Sequence, residues 1–187
     1  METKVRILTR VLKSSKLNFE KSCLHRKLIK KLNIIIDILE AHYRFEDHCS
    51  IAHVDKLQKV LLVDDDDIVN SINKVIIKHA KFANEIISET IASKAIEYIK
   101  QQREEASLPD LIFLDINMPE MDGWDFIDEF VKLGFDDDGP RIIMLTSSIN
   151  PRDENRASLI DVITDFMSKP LSPELLDKIY EQHFQPN

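Results

Sequence analysis

From Lys59 onward the chain alternates between short apolar runs and longer stretches in which apolar residues recur at helical spacing. The runs fall at residues 60–63, 85–87, 111–114, 142–145 and 163–167. Between them, one stretch carries Ile68, Ile72, Val75, Ile76 and His79, and the next Ala92, Ala95, Ile96 and Ile99. Trp124, Ile127, Phe130 and Val131 mark a third, and Leu175, Leu176 and Ile179 the last. That last helix is expected to open with Ser172 as N-cap and Pro173 at its first position, where a missing N–H costs nothing. Short apolar runs alternating with amphipathic helices predict parallel strands covered on both faces. The expected fold class is therefore α/β, a doubly wound five-stranded parallel sheet.

Residues 1–58 follow another pattern. Leu24, Leu28, Leu32, Ile35 and Leu39 recur at spacings of 4, 4, 3 and 4, which places one apolar face on a helix. Val5, Leu8, Val11 and Leu12 suggest a weaker one before it. Two helices of this size bury too little to stand alone and require a partner surface.

Charge divides the chain at the same place. Residues 1–58 carry 12 Lys/Arg against 7 Asp/Glu, and residues 59–187 carry 13 against 26; all 3 Gly and all 7 Pro also lie after residue 58. Two domains are thus expected, a basic helical extension over 1–58 and an acidic α/β domain over 59–187. No apolar run approaches the roughly 20 residues of a membrane span. The first ten residues lack the apolar core of a secretory signal. Two cysteines, Cys23 and Cys49, cannot form a disulfide framework. A cytoplasmic location is expected. Cys23, His25, His48, Cys49 and His53 are metal-ligand types, but their order does not match a closed zinc spacing. A basic helix touching anionic lipid or nucleic acid, and His25 as a phosphorylated histidine, are further readings of the extension. The plainest is a helical element that packs, self-associates into a homodimer, or serves as a leader.

In doubly wound sheets the ligand site lies beyond the carboxyl ends of the strands. The first run ends in Asp64, Asp65, Asp66 and Asp67, the third in Asp115, Ile116 and Asn117, the fourth in Thr146, and the fifth leads past Phe166 to Lys169 and Pro170. Carboxylates converging from two strands repel one another unless a cation lies between them, and a small set of oxygen ligands suits Mg²⁺. There is no Gly-rich phosphate loop of the GxxxxGK[ST] kind. A lysine and a hydroxyl beside such a cation would orient the oxygens of a phosphoryl group in transfer, and a carboxylate such as Asp115 can be the nucleophile. Asp66 and Asp67 are read only as favouring the next helix start, and Asp136, Asp137 and Asp138 as a solvated loop.

The strings KVLLVDDDD, PDLIFLDINMPEMDGWDF, RIIMLTSS and DFMSKPLSPELL, in this order, resemble the receiver domain of bacterial two-component response regulators. The resemblance covers residues 59 to about 184. It implies a flavodoxin-like strand order of 2-1-3-4-5. It also implies that Asp115 accepts a phosphoryl group from a phosphohistidine on a histidine kinase or histidine phosphotransfer protein. Asp65 would ligate Mg²⁺, Asp64 would hold a metal-bound water, and the Asn117 carbonyl would add a ligand. Lys169, before a cis Pro170, would pair with the phosphoryl oxygens. Thr146 would move to hydrogen-bond the phosphoryl group while the Phe166 ring turns inward. One departure is that Val162 and Ile163 stand where the family usually has a small Gly-Ala pair, so the turn after the fourth helix is expected to differ.

No output module is expected after the fifth helix, and a charge of −13 on this half argues against direct DNA binding. A stand-alone phosphorylation-dependent switch is the expected function, signalling through a changed protein-binding surface. Two alternatives remain: output through the basic extension, and an aspartyl-phosphate phosphohydrolase of the haloacid dehalogenase type, which requires Asp-x-Asp where this chain has Asn117.

Overall fold

The computed structural model describes residues 57–135, 139–147 and 150–185. The expectations for residues 1–56 and for Asp136, Asp137 and Asp138 lie outside them. Five strands alternate with five helices: β1 (Leu57–Val63), α1 (Asp67–His79), β2 (Ala83–Glu89), α2 (Ala92–Glu104), β3 (Leu111–Asp115), α3 (Gly123–Val131), β4 (Arg141–Thr146), α4 (Pro151–Ala157), β5 (Ile163–Ser168) and α5 (Pro173–His183). The strands form one sheet in the order β2-β1-β3-β4-β5, and every pairing is parallel. β3 is buried along its whole length, as a central strand with helices on both faces must be. Phe113 from the sheet and Phe126 and Phe130 from α3 are at most 2% exposed. Each contributes roughly 1.5–3 kcal/mol of apolar burial.

Register carries the strand tips to one edge. Val63 pairs with Leu114, Asp115 with Leu145, and Thr146 with Ser168. The residues just past these positions, Asp64 and Lys169, therefore reach the same edge as Asp115 and Thr146. At the other edge β1 begins at Leu57, two residues ahead of the boundary set by composition. Its start is held by Leu57 N–H to Phe82 O at 3.2 Å and by Gln58 and Lys59 N–H to Asp110 Oδ2 at 2.6 and 2.8 Å. β2, Ala83–Glu89, is also longer than the run expected at residues 85–87.

The helices follow the sequence pattern with two corrections. In α2, Ala92, Ala95, Ile96 and Ile99 are buried as expected, and Ser172 caps α5 through Leu175 N–H, with Pro173 in its first turn. In α1 the stripe is rotated. Ile68 and Val75 are 44% and 56% exposed, His79 is exposed, and the inward face is Asn70, Asn73, Ile76 and Ile77. Two buried asparagines disguise that face, because apolar periodicity cannot register a polar residue turned inward. In α3 the same misplacement is milder: Val131 is 50% exposed and Phe126 takes the core position. Among the described residues no helix is long and apolar enough to cross a membrane.

Candidate functional site

The four aspartates after β1 have four different surroundings. Asp64 is 4% exposed. Its N–H extends the β1–β2 ladder to Glu89 O at 3.2 Å, and its Oδ1 accepts from Asp66 N–H at 2.9 Å. Its carbonyl accepts from Asn70 Nδ2 at 2.8 Å, and its Oδ2 from Lys169 Nζ at 2.6 Å. Asp65 is exposed. Asp66 is the N-cap of α1, accepting from the N–H groups of Ile68 and Val69, and Asp67 lies in the helix's acidic first turn. The two later aspartates thus serve the helix start, as the sequence indicated.

Asp115, 7% exposed at the tip of β3, faces this turn. One carboxylate oxygen from each of Asp64, Asp65 and Asp115 lies within 4.8 Å of the others. Lys169 closes the group, with Nζ 3.0 Å from Asp115 Oδ1 as well as 2.6 Å from Asp64 Oδ2. The Lys169–Pro170 peptide is cis, and Lys169 N–H donates to Thr146 O at 2.7 Å, joining the β5 exit to the β4 tip. Thr146 is 3% exposed, Phe166 is half-buried against the core, and Asn117 is exposed two residues past Asp115.

Beneath Asp115, α3 begins unusually close to the strand. Gly123 N–H donates to Ile116 O at 2.8 Å, and a Cβ on Gly123 would lie 2.6 Å from Asp115 O and 2.8 Å from Ile116 Cα. Asp122 caps the helix through the N–H groups of Trp124 and Asp125, and Asp125 returns a bond to Asp122 N–H at 3.2 Å. This capping box fixes the helix start against the acidic tip. Sequence reasoning quoted Gly123 within its motif but assigned it no role, and it missed Asn70 altogether. For Asn70 the available signal was a short amide six residues past Asp64, among apolar residues of α1.

Electrostatics make the tip short of positive charge. Burial raises the Asp64 carboxyl above the ordinary aspartate range; the hydrogen bond and charge of Lys169 oppose this without cancelling it, and Asp115 adds to it. Burial also works against the Lys169 ammonium, but its bonds and charge pairing with Asp64 and Asp115 prevail and raise its pKa. Three carboxylates thus face one ammonium. Hard oxygen donors with a net negative charge fit a small divalent cation.

Residues 60–181 match the family model described as the response regulator receiver domain. The chain is 36% identical to a two component response regulator from Cytophaga hutchinsonii; the two structures share a TM-score of 0.63 over 68% of this chain and 97% of that one. A CheY-like receiver domain protein from Methanospirillum hungatei JF-1 is 32% identical, with a TM-score of 0.52 over 65% of this chain and 89% of that one. Among curated proteins, the probable C4-dicarboxylate response regulator DctR of Bacillus subtilis (strain 168) is 26% identical over 127 residues, 68% of this chain and 52% of that protein. Protein-glutamate methylesterase/protein-glutamine glutaminase 1 of Burkholderia pseudomallei (strain K96243) is 32% identical over 120 residues, 63% of this chain and 30% of that protein. The chain thus spans about half or less of these curated relatives. The sheet order, the acidic tip and these likenesses agree, and the chain belongs to the receiver domain family of two-component response regulators, whose members are phosphorylation-dependent signalling switches.

Proposed function

We propose that Asp115 is the phosphoacceptor and that the other tip residues serve it. The observation that carries this reading is Lys169 Nζ lying 2.6 Å from Asp64 and 3.0 Å from Asp115, on a tip where three carboxylates converge. A carboxylate oxygen of Asp115 attacks the phosphorus of a phosphohistidine on a histidine kinase or histidine phosphotransfer protein. A P–O bond forms, the P–N bond breaks, and the imidazole departs with its electron pair and takes a proton from solvent. Mg²⁺ would be held by Asp64, Asp65, Asp115 and the Asn117 carbonyl, and when bound it supplies positive charge beside the phosphoryl oxygens. Lys169 already contacts Asp115 and passes from its carboxylate to the new phosphoryl oxygens.

The switch follows from the added charge. Phosphorylation places about −1.5 to −2 on Asp115. Thr146, at the adjacent strand tip, donates its hydroxyl to the phosphoryl group, and Phe166 on β5 turns into the space released. α4 and β5 then settle in a second arrangement that a protein partner reads. The same tip promotes phosphoryl transfer from a small donor and its later hydrolysis. The test is incubation with acetyl phosphate and Mg²⁺, followed by intact mass. The expected result is a phosphoryl adduct on the unaltered protein, none on Asp115→Asn, and none when chelator precedes the donor. An equal adduct on Asp115→Asn would assign the acceptor elsewhere.

A further inference from the structure

The turn after β1 depends on a residue that has no place in the chemistry above. Asn70, on the second turn of α1, is 1% exposed, and its Nδ2 donates to the Asp64 carbonyl at 2.8 Å. Its own N–H donates to Asp66 O at 3.0 Å, so Asn70 binds both sides of Asp65. Its other amide atom is left over: among the described residues, Asn70 Oδ1 is the buried side-chain atom that finds no hydrogen-bond partner.

An orphaned buried acceptor costs roughly 1–3 kcal/mol. A leucine at this position would remove that acceptor and add apolar volume to the inward face of Ile76 and Ile77, but it would also strip the Asp64 carbonyl of its Asn70 donor. The two penalties are of the same size, roughly 1–3 kcal/mol each, so fold stability gives asparagine no clear advantage here. What the amide provides is a fixed 64–65 peptide, because the Asp64 carbonyl is one end of the unit whose other end is the Asp65 N–H. With that plane held, Asp65 starts from a fixed backbone even though its side chain is exposed.

We infer that Asn70 is a positioning residue for the acidic tip: its side-chain amide fixes the Asp64–Asp65 peptide so that the Asp65 carboxylate is presented to a divalent cation together with Asp64 and Asp115. The inference rests on the reading of the tip as a cation site and adds a residue that touches neither cation nor phosphoryl group. Groups that orient ligands from behind typically change metal affinity by about 10–100-fold.

The experiment measures Mg²⁺ affinity by calorimetry, metal-free melting temperature in chelator, and initial phosphorylation rate by acetyl phosphate across a Mg²⁺ titration, for the unaltered protein, Asn70→Leu and Asn70→Ala. The expected result for Asn70→Leu is Mg²⁺ binding weakened by about tenfold or more, a metal-free melting temperature close to that of the unaltered protein, and a phosphorylation rate restored at saturating Mg²⁺. Asn70→Ala should show the same loss of affinity, and it serves as the reporter if leucine does not fit. Unchanged Mg²⁺ affinity in a folded variant overturns the role of Asn70 alone. Absence of Mg²⁺ binding by the unaltered protein overturns the cation site itself, and with it this inference.

Discussion

Replacing Gly123 with alanine isolates the steric contact that seats α3 under the acidic tip. Gly123 does not have a left-handed φ, so alanine can adopt its backbone conformation, and the outcome depends on space alone. The added methyl would lie 2.6 Å from Asp115 O, about 0.8 Å inside the 3.4 Å at which ordinary contact begins, and 2.8 Å from Ile116 Cα. Both neighbours are backbone atoms of a strand exit, so neither can swing aside as a side-chain end would. Overpacking of this kind costs about 1–3 kcal/mol. Alanine's helix preference over glycine returns up to about 1 kcal/mol. The steric term wins, leaving a net loss of about 1–2 kcal/mol, or about 3–8 °C in melting temperature for a domain of this size. Relief comes from moving the helix start or the Asp115 peptide, and a shift approaching 1 Å at a reacting group can cost roughly 100-fold in rate. Urea unfolding followed by circular dichroism measures the first effect, and the initial rate of acetyl phosphate labelling the second. A Gly123→Ala protein as stable as its parent and equally fast would refute the argument that this contact is close and rigid.

Two further outcomes follow from the charges. Because the Asp64 carboxyl is raised in the folded state, the native protein binds more protons than the unfolded chain between aspartate's ordinary 3.8 and the raised value, so Asp64 makes stability fall as pH rises through that window. In chelator, urea midpoints of Asp64→Asn should therefore gain on the unaltered protein as pH rises above aspartate's ordinary 3.8, on top of a constant offset from the lost Lys169 bond; parallel pH curves would contradict the burial argument. At the opposite edge, Lys59 is 7% exposed and bonds Gln102 Oε1 at 2.7 Å, Ser107 Oγ at 2.8 Å and Ser107 O at 3.0 Å. Lys59→Met should leave the buried Gln102 Oε1 without its donor and lower stability by roughly 1–3 kcal/mol, without changing the Mg²⁺ dependence of labelling. A change in that dependence would mean the two edges are coupled.

The sheet was legible in the sequence because each strand is an apolar run bounded by polar residues, and the burial of central strands leaves no other composition available. The edge strand β2 was less legible: only Ala83 of its seven residues is buried, and the observed span extends through polar positions at both ends. The tip residues could be identified because they are the first polar groups after buried runs, so their chemical type stands out against aliphatic neighbours. Asn70 and Gly123 lacked that contrast. One is a polar residue on a face where periodicity looks for apolar ones, and the other acts through the absence of a side chain. Both roles depend on how closely a helix approaches a strand end, a distance set by three-dimensional packing and not by local pattern.

A buried lysine, Lys59, and a half-buried one, Lys169, stand in contrasting surroundings. They lie at opposite ends of the strands, each with its ammonium at least partly shielded from water. Around Lys59 the nearest partners are a neutral amide, a hydroxyl and a carbonyl, with the Glu85 carboxylate, 54% exposed in its side chain, at 3.5 Å. Around Lys169 the nearest partners are two carboxylates whose side chains are 6% and 8% exposed, with Asp65 adding a third to the cluster. The Lys59 surroundings satisfy one positive charge with dipoles and one solvated acid, as a structural lysine requires. The Lys169 surroundings exceed one positive charge, and stability alone offers no reason to keep them so, because each surplus buried carboxylate opposes folding at neutral pH. The same fold thus places a balanced lysine at the start of β1 and an overcharged one at the strand tips. The imbalance supports the proposal that this edge takes up a cation and a transferable phosphoryl group in turn.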